Sequence, residues 1–151
     1  VAASTIASGW LSDRLIANGA SPNKVRKSFC VVGLLASSVM MGAVLANNPN
    51  TSLALLCASA FGYGIFSSNL WAITQTCAGP WAAGRWTGAQ NFVGNLAGIA
   101  APWLTGYIVD RTGHYYWAFA IVAAFCLGGA LCFGAVVPRV ETVTWRDQAA
   151  L

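Results

Sequence analysis

The chain has 151 residues, of which 57% are hydrophobic and 8% charged, and its eight basic and four acidic residues give a net charge of +4. Soluble domains carry about 25% charged residues, so this composition excludes a disordered protein and argues against a water-soluble globule. No charged residue occurs from Ser28 to Gly84, from Trp86 to Val109 or from Thr112 to Pro138. Because about 20 apolar residues span a bilayer as a helix, the sequence predicts an all-α integral membrane protein.

The first segment is a short apolar run followed by a basic connection. No basic residue precedes the run and no small-residue cleavage site follows it, so it does not resemble a signal peptide. Ten helical residues rise about 15 Å, roughly half a bilayer. We therefore assign 1–27 to the end of a transmembrane helix and a loop, and expect a C-terminal fragment of a longer protein. A short interfacial helix that begins a complete small protein is the alternative.

Four complete transmembrane helices are predicted within 28–138. Their limits are set by a basic cluster before the first, by the Asn-Asn-Pro-Asn turn at 47–50, by Gly79-Pro80 and by Pro138. The helices cover about 28–46, 52–78, 88–109 and 115–137, and a polar tail, 139–151, follows. Strands of a membrane barrel alternate between polar and apolar residues, whereas these runs are continuously apolar.

The basic residues indicate how these helices are oriented. Alternate connections share a side of the membrane, and with these spans every basic residue except Arg111 falls on one side. Basic residues in short loops stay in the cytoplasm. The sequence therefore predicts a multi-pass protein of the cell (inner) membrane with a cytoplasmic C-terminus.

Amide side chains in the third span are candidate substrate-binding groups. Asn91 and Asn95 are four residues apart, and Gly98 and Pro102 continue the same helix face. Carboxamides are poorly placed against lipid, so this face should point into a bundle or a wet cavity, where it can bind hydroxyl and carboxylate groups of a sugar acid. Polar contacts between helices are the alternative. Pro102 removes a backbone hydrogen bond, so we expect the helix to flex at Gly98 and Pro102.

The second span adds Ser68 and Asn69, its polar cluster near mid-membrane, as further substrate-binding candidates. No charged residue lies in the middle of any span, so these residues by themselves provide no means of driving uphill transport. The five cysteines lie in apolar runs without C-x-x-C spacing, and His114 lies alone in an outer loop. No catalytic residue, metal site or cofactor is therefore predicted. The net charge is dispersed over loops, so no nucleic-acid partner is expected.

The segment Gly9-Trp10-Leu11-Ser12-Asp13-Arg14 resembles the G-x-x-x-D-R signature of the major facilitator superfamily. It follows an apolar run on a predicted cytoplasmic connection. Asp13 can approach the positive N-terminal end of a neighbouring helix, and Arg14 can pair with an acid or a phosphate. The resemblance implies that Gly9, Asp13 and Arg14 take part in conformational switching, although the usual Gly-Arg-Arg continuation is absent.

A longer stretch resembles one branch of that superfamily, the anion:cation symporters. Residues 84–99 are similar to the segment that opens their eleventh helix, and Pro102, 105–109, Thr112-Gly113 and Ala118-Phe119 continue the likeness. The resemblance covers essentially the whole chain. It implies the C-terminal part of a twelve-helix major facilitator fold: the end of helix eight and helices nine to twelve.

The resemblance also implies a function: secondary active transport of a small organic anion, such as a hexuronate, glucarate or galactonate, by proton-coupled symport. The implied partners are the anion, the lipid bilayer and the N-terminal half of the same protein, where the family has its proton-coupling acids and main anion-binding arginine. A complete four-helix membrane protein, either an exporter or a structural subunit, is the alternative. No enzyme is expected, since no nucleophile–base pair or pair of carboxylates is present.

Overall fold

The computed structural model of the chain describes residues 1–143 and is helical nearly throughout. Its elements are α1 (Ala2–Ala17), α2 (Pro22–Ser38), α3 (Met40–Leu45), α4 (Pro49–Thr112), α5 (Tyr116–Leu131) and a π-helical turn (Cys132–Val136). The prediction of an all-α fold is confirmed for these residues. Of the predicted tail, 139–151, the part from 144 onward lies outside the described residues.

The long helix α4 is bent at Gly79, the one residue in it with a non-helical backbone (φ 69°, ψ 173°). We call 49–78 the first arm and 80–112 the second arm. Glycine adopts this left-handed φ without a steric penalty, and Pro80, which has no N–H to leave unbonded, suits the first position of the second arm. Residues 80–87 are helical and belong to the second arm, whereas the sequence analysis predicted a connection between two spans from 79 to 87.

The other helix boundaries follow local sequence signals. Asn48 precedes α4, and its Oδ1 accepts a hydrogen bond from Asn50 N at 2.9 Å. At the far end, Gly113 has a φ of +72° and donates its N–H to Val109 O at 2.7 Å, a left-handed C-cap. Pro22 occupies the first turn of α2, so this helix begins six residues before the predicted start at Ser28.

Among the described residues, three helical stretches are long and apolar enough to cross a membrane: Pro22–Leu45, Pro49–Thr112 and Tyr116–Val136. At 1.5 Å per residue, α4 has a contour length of about 96 Å, against a hydrocarbon thickness of about 30 Å. Its bend divides it into two arms that are each long enough for one crossing. The division of the chain into four spans at the predicted limits stays a prediction.

Close packing concentrates between α2 and the first arm. A Cβ on Gly33 would lie 2.5 Å from Phe66 N, and a Cβ on Gly62 would lie 2.7 Å from the Ala36 Cβ. Ser59 Oγ donates to Ser37 O at 2.8 Å in the same contact. Small residues thus let these two backbones approach closely, as is common between membrane helices.

Candidate functional site

The predicted amide row lies on the exposed second arm. Asn95 Nδ2 donates to Asn91 O at 2.8 Å and to Asn91 Oδ1 at 3.1 Å, so one amide orients the other. All residues from Asn91 to Ala100 are exposed. No group within residues 1–143 accepts the hydrogens of Asn91 Nδ2 or donates to Asn95 Oδ1. The pair therefore offers two donor hydrogens and one carbonyl oxygen on an open helix face.

Ser68 and Asn69 lie at the contact between α1 and the first arm. Ser68 Oγ is 2.7 Å from Ser8 Oγ, and Asn69 Nδ2 donates to Ile65 O at 3.2 Å and to Ser68 Oγ at 3.3 Å. Asn69 is only 1% exposed, and its Oδ1 has no hydrogen-bond partner among the described residues. Within those residues no hydrogen bond links Ser68 or Asn69 to the Asn91–Asn95 pair on the other arm.

Thr74 and Gln90 connect the two arms near the bend. Thr74 Oγ1 donates to Gln90 Oε1 at 2.6 Å. Beside this contact is a largely apolar groove of about 580 Å³, lined by both arms and by Val143. The Thr74–Gln90 bond therefore fixes one point at which the arm carrying the amide pair meets the packed part of the molecule.

The residues of the G-x-x-x-D-R segment lie at the end of α1. Asp13 Oδ1 is 3.4 Å from Arg26 Nη2, and the Arg14 guanidinium stacks over the Trp10 ring at 5.0 Å from its centroid. The ion-pair partner of Asp13 is thus Arg26 in α2, and Arg14 makes a cation–π contact with Trp10. The pairing of Arg14 with an acid or a phosphate stays a prediction. Gly9, Asp13 and Arg26 line a polar cavity of about 400 Å³ together with Ser68.

Gly98 and Pro102 lie farther along the second arm, within continuous helical backbone. They line an open cavity of about 670 Å³ near the start of α5, whose rim includes Asp110 and Tyr115. Pro102 does not break the helix here. Flexing at these two residues stays a prediction.

Two features were missed by the sequence analysis. One is a row of buried serines on α1, which faces the first arm: Ser4, Ser8 and Ser12. Their spacing of four residues in an otherwise apolar run could have revealed this face. The other is the return of residues 137–143 onto the bend, which no local pattern indicates because its contacts join residues far apart in sequence. No cluster of metal-binding side chains occurs among the residues that the structure describes.

Comparison with known proteins identifies the family. The sequence model of the Major Facilitator Superfamily matches residues 1–150. The chain belongs to this superfamily. The membership confirms the family suggested by the G-x-x-x-D-R segment and by the longer stretch at 84–99.

Similar proteins of the superfamily come from bacteria and mammals. A D-galactonate transporter of Escherichia coli O6:H1 is 35% identical over 136 residues, or 90% of this chain and 31% of the relative. The voltage-gated purine nucleotide uniporter SLC17A9 of Mus musculus is 33% identical over 145 residues, or 93% and 32%. A probable galactarate/D-glucarate transporter, GudP, of Bacillus subtilis is 29% identical over 140 residues, or 93% and 30%. The chain thus spans about a third of the length of the curated relatives that it matches.

Proposed function

We propose that this chain is part of a secondary active transporter of a small organic anion, and more specifically of a sugar acid imported together with protons. The observation that carries the proposal is the amide pair: Asn95 holds Asn91 by two hydrogen bonds, so that the Nδ2 hydrogens of Asn91 are presented on an open face. The similarity to transporters named for galactonate and for galactarate/D-glucarate supports the same substrate class.

Asn91 and Asn95 have different roles in this proposal. Asn91 Nδ2 donates to a carboxylate or hydroxyl oxygen of the anion, and Asn95 positions Asn91 while its own Oδ1 accepts from a sugar hydroxyl. Ser68 and Asn69 are proposed as further contacts. Because Ser68 is already bonded to Ser8 and Asn69 is buried, we expect them to contribute less than the pair on the second arm.

Proton coupling is assigned to residues outside this chain. The acids within residues 1–143 are Asp13, Asp110 and Glu141, and all three are exposed near helix ends or in the terminal segment. Proton relays in carriers use acids inside the bundle. The proposal places such an acid in the N-terminal half of the protein, with transport by alternating access about a site between the halves.

Uptake into proteoliposomes tests the substrate class and the coupling. The full-length protein should accumulate labelled D-galactonate or D-glucarate when the lumen is alkaline, and a protonophore should abolish the accumulation. Labelled ATP under an imposed membrane potential is the second substrate to be tested, since a relative of similar identity is a purine nucleotide uniporter. If only ATP were taken up, the substrate would be a nucleotide and not the proposed sugar acid. If uptake did not depend on the pH gradient, the proposed proton coupling would be wrong.

We also propose, from the basic residues, that the protein lies in the cell (inner) membrane with its C-terminus in the cytoplasm. A reporter that is active only in the cytoplasm should work when fused after Leu151 and should fail when inserted at Asn48. The reverse pattern would invert the assigned orientation.

A further inference from the structure

Residues 137–143, which we call the strap, run from the end of the π-helical turn back onto α2. Lys27 Nζ donates to Val137 O at 2.6 Å, and Val140 N donates to Asn23 Oδ1 at 3.0 Å. Val140 is only 7% exposed and belongs to the core cluster that includes Cys30 of α2. The strap is thus held on α2 by two polar contacts and by the buried side chain of Val140.

The last residues of the strap contact the bend of α4. Thr142 Oγ1 donates to Thr76 O at 3.0 Å, and Val143 N donates to Cys77 O at 2.9 Å. The methyl group of Thr142 lies directly over Gly79, where a Cβ would approach it to 2.7 Å. The strap therefore covers the residue at which the helix changes direction.

Both acceptors are backbone carbonyls in the last turn of the first arm, next to the bend. In a continuous helix Thr76 O would accept from the N–H of residue 80, but Pro80 has none. The carbonyls in the last turn of the first arm have no donor within that arm. A donor supplied from elsewhere in the chain pairs such a carbonyl and so stabilises the bend.

We propose that the strap is the C-terminal cap of the first arm and that it fixes the direction in which the second arm leaves the bend. Asn23 and Thr142 are positioning residues in this arrangement. Asn23 anchors the strap to α2. Thr142 Oγ1 donates a hydrogen bond to Thr76 O, the carbonyl for which Pro80 has no N–H. Because the second arm carries Asn91 and Asn95, the strap sets where the amide pair lies relative to the packed helices.

A distance measurement across the bend tests this role. Spin labels are placed at Thr51 and Arg111, exposed residues near the far ends of the two arms, in full-length protein in lipid nanodiscs with the native cysteines replaced. A 30-residue arm is about 45 Å long, so a change of about 10° at the bend moves its far end by about 8 Å. The double variant Asn23→Ala/Thr142→Val should broaden the distance distribution and shift its mean by about 5 Å or more.

The matched control changes the strap without touching its contacts. Within residues 1–143, Arg139 and Glu141 pair only with each other, at 3.7 Å, and their side chains are 78% and 70% exposed. Arg139→Ala/Glu141→Ala should leave the distance distribution unchanged. An unchanged distribution in the Asn23→Ala/Thr142→Val variant would overturn the proposal. The readout is a distance, so its result is independent of which anion is carried.

Hydrogen exchange of the unmodified protein gives a second test if the double variant does not fold. The amides of Val140 and Val143 are bonded to Asn23 Oδ1 and Cys77 O. They should exchange about 100-fold or more slowly than in an unstructured peptide, because the strap must leave the bend before they are exposed. Exchange of both amides at the unstructured rate would contradict a cap that is closed in the resting protein.

Discussion

The two arms of α4 both contain glycines but have opposite environments. In the first arm, Gly62 faces Ala36 and Ser37 of α2, and Gly64 faces Ser4 of α1, so closely that neither has room for a Cβ. The second arm contains five glycines, and among the described residues no atom beyond the glycine's own turns of helix lies within 4 Å of where its Cβ would be: Gly84, Gly88, Gly94, Gly98 and Gly106.

The difference shows that small residues permit close helix packing without specifying it. Phe92, Ile99 and Trp103 of the second arm are 65%, 74% and 72% exposed, and they share that arm with the exposed amide pair. An amphipathic surface of this kind fits neither lipid alone nor water alone. The first arm supports the structure, whereas the second arm presents the predicted binding groups.

The largest expected effect comes from filling a glycine in the first arm. Gly62→Ala should destabilise the full-length protein by about 1–3 kcal/mol, because its Cβ would meet the backbone of α2 at Ser37 N, 2.8 Å away. Gly88→Ala, the matched change in the second arm, should be neutral or stabilising by about 0.5–1 kcal/mol. Thermal unfolding in detergent measures both. Equal losses would mean that the second arm is as tightly covered as the first in the complete protein.

The sequence was sufficient for the all-α fold because continuous apolar runs and their breakers are local signals. It predicted the turn at 47–50 and an interruption of the helix at Gly79-Pro80. It did not predict that the helix resumes at Pro80, since the same proline that ends one helix is also acceptable in the first turn of the next. It placed the start of α2 at Ser28 because it excluded charged residues from the span, although Lys27 reaches Val137 O from within that helix.

The partners of the candidate site residues could not be predicted in the same way. The spacing of Asn91 and Asn95 correctly places them on one face, because helix geometry determines it. Nothing in that spacing indicates that the face is uncovered within residues 1–143, or that Asn69 is buried beside α1. Those facts depend on which helices pack together, and contacts between residues distant in the chain leave no periodic signature.

The next effect is expected on anion binding by the amide pair, and it tests whether the second arm carries the binding site. Asn91→Ala should raise the apparent dissociation constant of the anion by roughly 5- to 150-fold, the equivalent of about 1–3 kcal/mol for a lost hydrogen-bond partner. Asn95→Ala should have a similar or smaller effect, and Ser68→Ala a smaller one still. Calorimetric titration and a melting curve on each purified variant separate binding from folding. Unchanged affinity in both asparagine variants, with lowered melting temperatures, would show that the amides only connect helices.

The smallest expected effect on stability is at Asp13, in the supporting part of the molecule. Its carboxylate is 70% exposed and lies 3.4 Å from Arg26, so Asp13→Asn should change the free energy of unfolding by less than about 1 kcal/mol.

If the pair holds one state of the transporter, as the G-x-x-x-D-R segment suggests, the same variant should nevertheless slow uptake while leaving the affinity for the anion unchanged. Arg26→Gln should slow uptake similarly, and the double variant should add little, because the residues act through one contact. Asp110→Asn is the matched control, an exposed acid outside the motif. Normal uptake by Asp13→Asn at normal expression would mean that the charge of Asp13 only supports membrane topology.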